Sequence, residues 1–182
     1  MSEQTDVMLV MQCLEGNTRA FESIVDKYHK TIYNVALRMV NDHQDAEDIT
    51  QSVFVKAYEN LKSYNPNYKF FSWLYRMAVN ETLNFINQRK RLEELNHSII
   101  SKNKSPSEKY DDIELSENIQ NALMDLEIDY RVVILLKHFE EFSYKEISYI
   151  LDIPEKTVKS RLFSARQLLR DIVVKKGLVA ND

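Results

Sequence analysis

Seven basic side chains crowd the stretch from Glu155 to Lys176: Lys156, Lys159, Arg161, Arg166, Arg170, Lys175 and Lys176. Two acids, Glu155 and Asp171, accompany them, so the local balance is +5 in a chain whose net charge is −4. At about 100° per residue, Lys156, Ser160, Phe163 and Gln167 share one face of a helix. Lys159 and Arg170 flank that face on one side, and Ser164, Thr157 and Arg161 on the other. Cations in such a stripe attract a phosphate backbone, and hydroxyls and amides beside them can reach base edges. Phe163 is a large apolar residue turned toward water. It fits contact with a thymine methyl in the major groove. A helical hairpin with a basic solvated face is the plainer reading, and it leaves Phe163 without a purpose.

Two further groups invite chemistry. Six aromatics lie between Tyr64 and Tyr75: these two, Tyr68, Phe70, Phe71 and Trp73. Some must build a core, but aromatics also stack on unpaired bases, at about 1–3 kcal/mol each. Behind them Arg76, Asn80 and Asn84 follow at i, i+4 and i+8. The triplet Arg89-Lys90-Arg91 closes that helix, where cations gain from the dipole or grip phosphates. The last group is Asp48, Gln51, Ser52, Val55 and Glu59 on one outer helix face. Single exposed apolar residues are ordinary, but Val55 at the centre of a polar patch can mark a docking surface.

Other chemistries find no support. There is no glycine-rich phosphate loop and no nucleophile–base constellation at a supporting spacing, so the chain does not read as an enzyme. The four histidines (His29, His43, His97, His138) are scattered, and none pairs with a cysteine at ligand spacing. Neither a metal nor a cofactor is expected. Cys13 stands alone, which excludes an internal disulfide and suits a reducing, cytoplasmic setting. No apolar run approaches the ~18 residues of a membrane span, and no basic segment precedes the short run Val7 to Met11. Net acidity argues against a free-standing tight DNA binder; the pattern suits a DNA reader delivered by something else.

The elements that must position these groups are helical. With two Gly and three Pro, the chain has little turn chemistry, and its spacing predicts an all-α fold. Asp6 to Leu14 reads as a short helix. Thr18 is expected to cap the next, whose stripe is Phe21, Ile24, Val25, Tyr28, Ile32, Val35, Ala36 and Met39. Asn41 to Gln44 reads as a loop, with Asp45 capping a third helix from Ala46 to about Leu61. Ser63 to Lys69 is a loop turned by Asn65-Pro66, and Phe70 to Arg91 a long helix. Residues 96–112 lose periodicity and read as a flexible linker between a domain at 1–95 and one at 113–182. In the latter, Leu115, Ile119, Ala122, Leu123 and Leu126 form one apolar face. Tyr130 to Phe139 reads as a buried helix. Ser143 and Glu146 make a capping box, and Ile147, Ile150 and Leu151 a stripe. Asp152-Ile153-Pro154 is a tight turn, with Pro154 suited to the first helical position. Val158, Leu162, Ala165, Leu169 and Ile172 line the next helix, which Lys175-Lys176-Gly177 ends. Two short helices on a three-residue turn are a helix-turn-helix.

These residues resemble a bacterial extracytoplasmic-function sigma factor, a small member of the RNA polymerase sigma family, over nearly the whole chain. Asp45-Ala46-Glu47-Asp48-Ile49-Thr50-Gln51-Ser52-Val53-Phe54 is similar to the family's region 2.2. Phe70-Phe71-Ser72-Trp73-Leu74-Tyr75-Arg76-Met77-Ala78-Val79-Asn80 is similar to regions 2.3 and 2.4, and Tyr144 to Arg166 to region 4.2. The resemblance implies a region 2 domain and a region 4 domain with no catalytic role. It implies that Asp48, Gln51, Ser52 and Val55 dock on the clamp helices of polymerase β′, with β a further partner, and that the linker threads the polymerase channels. It implies that the Tyr64–Lys69 loop and the aromatic helix capture a base flipped from the minus-ten element, with Trp73, Arg76 and Asn80 foremost. Arg89 and Lys90 join them as phosphate contacts. It implies that Lys159, Ser160, Phe163 and Ser164 face the bases of the minus-thirty-five element, while Lys156, Thr157, Arg161 and Arg166 meet phosphates or pack. An anti-sigma protein is a possible further partner. The sequence departs from the family pattern at Ser52, Phe71, Val79, Asp152 and Ser164.

Two other readings remain at this point. A stand-alone dimeric helix-turn-helix regulator would bind a palindromic site without polymerase, but leaves the aromatic cluster idle. An adaptor without a DNA role leaves the basic face idle.

Overall fold

A computed structural model of the protein describes residues 3–95 and 113–178, with side chains over 5–95 and 118–178. Every described element is helical, as the composition requires. The chain divides into two compact units, Met1–Ile99 and Ile100–Asp182. The expected linker at 96–112 lies outside the described residues.

The first unit comprises α1 (Glu3–Leu14), α2 (Thr18–Val40), α3 (His43–Glu59), a 3-10 turn (Leu61–Ser63) and α4 (Phe70–Leu95). Helices α2, α3 and α4 pack on one another, and α1 lies against α2. Ile24, Ile32, Val35 and Met39 of α2, Ile49, Val53 and Ala57 of α3, and Leu74, Ala78 and Val79 of α4 are buried. These positions repeat every three or four residues, the spacing that keeps one helix face inward. Each large aliphatic among them stabilises the unit by about 1.5–3 kcal/mol.

Several boundaries differ from the sequence expectation, for local reasons. The cap of α2 is Asn17, not Thr18; its side chain accepts from the Arg19 N–H at 3.1 Å. The cap of α3 is Asp42, not Asp45; it accepts from the Asp45 N–H at 3.0 Å. His43 and Gln44 are therefore helical rather than loop. Asn41 adopts the left-handed conformation at φ 55°, which ends α2. Two short polar residues thus accomplish the whole α2–α3 connection. Helix α3 stops at Glu59, and Leu61 to Ser63, expected as helix end and loop, form the 3-10 turn. Helix α4 continues to Leu95. Arg89, Lys90 and Arg91 therefore lie inside it, and the favourable dipole of a last turn does not explain them.

The second unit comprises α5 (Ile113–Met124), α6 (Ile128–Ile134), a π turn (Leu135–Phe139), α7 (Tyr144–Leu151) and α8 (Glu155–Lys175). The expected helix Tyr130–Phe139 is thus α6, begun two residues earlier, plus a wider turn. The Phe142 N–H bonds Leu136 O at 3.0 Å and Lys137 Nζ donates to Phe142 O at 3.0 Å, closing that turn. Leu135 and Leu136 stay buried through it. Helix α8 packs on α5, α6 and α7. Ala122, Leu123 and Leu126 are buried as expected, but Ile119 is 38% exposed. Arg131 is buried, and its guanidinium fastens the end of α5. Nε donates to Leu123 O at 2.9 Å, and Nη2 to Met124 O and Leu126 O at 2.9 and 3.0 Å. Helix-end carbonyls without intrahelical partners are satisfied this way.

Candidate nucleic-acid interface

The helix-turn-helix is assembled from its caps outward. Both bonds of the capping box form: the Glu146 N–H donates to Ser143 Oγ at 3.2 Å, and the Ser143 N–H to Glu146 Oε2 at 2.9 Å. Asp152 takes the left-handed turn at φ 56°. Ser148 Oγ donates to Ile153 O at 2.5 Å, which pins the turn. Pro154 sits at the cap of α8, one residue before the expected position. Its missing N–H costs nothing there, because no intrahelical bond needs it. Val158, Leu162 and Ala165 are buried, while Leu169 and Ile172 are half-buried, so the stripe fades toward the end of α8.

What remains outward is the basic face. Phe163 is 66% exposed. Lys156, Lys159, Ser160, Arg166, Gln167 and Arg170 are exposed, and Thr157, Arg161 and Ser164 half-buried. Lys159 Nζ lies 5.5 Å from the Tyr144 ring centroid, so α7 steadies that cation. Arg161 pairs with Asp129 of α6 at 3.2 Å. The pair borders a polar cleft of about 290 Å³ lined also by Thr157, Ser160 and Ser164. Arg166 Nε donates to His138 Nε2 at 3.2 Å. Burial, then Arg166, then Lys137, push the His138 pKa below its ordinary value, consistent with a neutral ring accepting that bond.

The first unit presents a second surface. Tyr64 Oη donates to Tyr68 O at 2.8 Å, the Asn67 N–H to Asn65 Oδ1 at 3.0 Å, and the Tyr68 N–H to Asn65 O at 3.1 Å. The loop from Tyr64 to Lys69 is thereby held in one shape. Trp73, expected foremost among the base contacts, is enclosed. It is 7% exposed, with Tyr64 and Phe70 at centroid distances of 5.7 and 5.4 Å. Its ring packs on the loop through Tyr64 and on the start of α4 through Phe70. Arg76 is half-buried, and Asn80 and Asn84 are exposed. Arg89 is committed to carboxylates, with Nη1 at 2.7 Å from Asp45 and Nε at 3.4 Å from Glu93. Lys90 and Arg91 are exposed. Asp45 has its pKa raised, by burial first and then Asp42, against the pull of Arg89.

The third group sits on α3. Asp48 and Gln51 are exposed and Val55 is 58% exposed. Ser52 does not join them fully. It is half-buried and donates to Glu81 of α4 at 2.8 Å. Burial raises the Glu81 pKa, but hydrogen bonds from Lys56 and Ser52 outweigh it, and the net shift is downward. Tyr58, 49% exposed with Phe21 edge-on at 5.0 Å, extends the patch. The sequence reading missed Tyr58, although the i, i+4, i+7 spacing of Gln51, Val55 and Tyr58 was its signal. It also missed Asp129, His138 and Tyr144, for which no local pattern exists.

Comparison with known proteins follows the same division. The family description "Sigma-70 region 2" matches residues 24–92, and "Sigma-70, region 4" matches residues 116–169. The chain is 37% identical over 173 residues to the ECF RNA polymerase sigma factor SigW of Bacillus subtilis, covering 88% of this chain and 92% of that protein. It is 30% identical over 182 residues to the RNA polymerase sigma-H factor of Pseudomonas aeruginosa, covering 93% and 94%. Among solved structures, the sigma factor RpoE in complex with the anti-sigma factor NepR, from Bartonella quintana, shares the fold. Its TM-score is 0.73 at 24% identity, covering 84% of this chain and 96% of that one.

Proposed function

The chain belongs to the extracytoplasmic-function family of RNA polymerase sigma factors, and on that premise we propose how its surfaces divide the work. As a sigma factor it binds core RNA polymerase and directs initiation at chosen promoters. The region 2 domain is assigned to 1–95, the linker to 96–112 and the region 4 domain to 113–182. The α3 face of Asp48, Gln51 and Val55, with Tyr58 at its edge, docks on the polymerase clamp. Ser52 contributes through its bond to Glu81 rather than by direct contact. The Tyr64–Lys69 loop, with Arg76 and Asn80, takes the minus-ten element, and Trp73 holds the loop in shape. Lys90 reaches a phosphate more readily than Arg89, whose charge Asp45 and Glu93 already engage.

Lys159, Ser160, Phe163 and Ser164 read the minus-thirty-five element, with Lys156, Thr157, Arg161 and Arg166 on its backbone. The observation that carries this assignment is Phe163, 66% exposed on a helix with five more cations than anions between Glu155 and Lys176. Burial of that ring against a thymine methyl accounts for an exposure that folding alone does not need. The chain itself catalyses no reaction in this scheme and works in the cytoplasm, where its polymerase is. An anti-sigma protein, the class of partner carried by the Bartonella structure, is the regulator that fits these exposed faces.

The test is reconstitution. Full-length protein added to core polymerase should give promoter-dependent transcription. Replacing Gln51 and Val55 together by alanine should weaken core binding about tenfold or more, as removing a docking centre does, with the unfolding midpoint unchanged. Wild-type core affinity in the double variant would place the docking face elsewhere.

A further inference from the structure

A cavity of about 650 Å³ lies beside the Tyr64–Lys69 loop, and it has two sides. The loop and Phe70 supply one. The other is the N-terminal helix, through Val7 and Met8 of α1. Neither α1 residue belongs to a motif, and nothing in the proposed minus-ten surface uses them.

Helix α1 is held there by a buried charge. Asp6, one residue before Val7, is 5% exposed. Its carboxylate accepts from Lys27 Nζ and, at 2.6 Å, from the Tyr28 hydroxyl. The Tyr28 ring stacks on Phe71 at 5.3 Å and lies 6.0 Å from Phe70. Phe70 in turn meets Tyr64 edge-on at 5.3 Å. A chain of contacts therefore runs from α1 to the loop. A buried ion pair adds little net stability over apolar residues of equal volume, so its contribution here is position. It fixes the wall beside the cavity while leaving Met8 itself 60% exposed.

We propose that Val7 and Met8 are the second wall of the pocket that holds one unstacked promoter base, which makes α1 part of the base-selecting site. The proposal rests on the minus-ten reading of the loop. The occupant follows from the lining. Tyr64, Tyr68 and Phe70 offer aromatic surface, which takes the face of any base. Met8 supplies a polarisable thioether suited to the edge or face of a flat ring. Asn67 and the loop backbone can address a base edge, and Lys69 brings a cation to meet the adjoining phosphate. Because the Met8 side chain is long and unbranched, it closes on rings of different size less strictly than a β-branched residue would. Its length then sets how far a base enters.

The experiment uses holoenzyme and a promoter carrying 2-aminopurine at each minus-ten position in turn, with fluorescence reporting unstacking and capture. Met8→Ala should slow promoter melting about fivefold, the lower end of what losing one stacked contact costs. It should also lessen the quenching of the captured analogue and narrow the rate differences among bases at that position. Met8→Trp, which fills the cavity, should block capture. Neither change should move the unfolding midpoint, since Met8 is exposed. Asn67→Ala and Lys69→Ala serve as controls on the loop. If both Met8 variants match wild type while the loop variants slow melting, α1 is no part of the pocket and the minus-ten reading stands. If all four variants match wild type, the loop is not the base site and both readings fall.

Discussion

Arg131→Ala should unfold the second unit well before the first. Arg131 is 8% exposed, and its guanidinium serves three backbone carbonyls at 2.9, 2.9 and 3.0 Å. Burial lowers its pKa and Asp125 partly restores it, but an arginine keeps its charge in proteins. Hydrogen bonds to charged groups contribute about 1.5–3 kcal/mol each, and losing one partner strands the other. The three share one side chain, so they do not add. Leu123 O keeps the Leu126 N–H at 3.1 Å, so two carbonyls, Met124 O and Leu126 O, lose this donor, and a total of about 2–5 kcal/mol is expected at about 1–3 kcal/mol for each buried group left unsatisfied. A domain of this size is worth roughly 0.05–0.15 kcal/mol per residue, so the loss takes a large part of its stability. The chain's one tryptophan makes the assay selective, because Trp73 lies in the first unit. In urea, Trp73 fluorescence should keep its wild-type midpoint. Helical circular dichroism should gain an early transition. Arg131→Lys should rescue little, since one ammonium cannot reproduce the planar fork. In holoenzyme, minus-thirty-five dependence should disappear while core binding persists. A loss under about 1 kcal/mol would refute the argument, since it would mean that water or backbone adjustment satisfies the carbonyls.

Two further outcomes are expected. Lys156→Ala should weaken promoter binding by holoenzyme and reduce the slope of log affinity against log salt by about one; an unchanged slope would show that Lys156 faces away from phosphate. His138 is pushed below its ordinary value of about 6.5, so the unfolded chain takes up the proton first as pH falls. Its contribution is therefore complete above that value and lost as pH drops toward the folded one. His138→Gln, whose amide oxygen can accept the same bond from Arg166, should flatten this part of the acid-side decline in urea midpoint, and an identical decline in both proteins would refute it.

The helix-turn-helix was readable because its determinants are close in sequence. A capping box spans Ser143 to Glu146, and apolar residues three and four apart set which face of α8 turns inward. Once that face is known, the exposure of Phe163 follows. Charge is similar, since the basic balance between Glu155 and Lys176 needs no fold to be counted. The caps at Asn17 and Asp42 were nearly readable. Neighbouring Asn, Thr and Asp residues compete for such positions, and only backbone geometry chooses among them.

The remaining features depend on residues far apart in the chain. Trp73 lies on an aromatic-rich helix end, and its spacing is equally consistent with a core residue and a base contact; the packing of Tyr64 and Phe70 against its ring decided for the core. Arg89 reads as a phosphate grip until Asp45, on another helix, is found 2.7 Å away. Arg161 and Arg166 acquire partners from the start of α6 and from the π turn. Val7 and Met8 reach the loop only because α1 returns along α2. The sequence alone determined the helices, their inward faces, the two-unit division and the basic ridge, because these follow from periodicity and composition over a few residues. Tertiary structure alone decided which cations were already paired, which aromatics were enclosed and what closed the cavity. Those outcomes depend on the angles at which helices pack, and no local pattern specifies them.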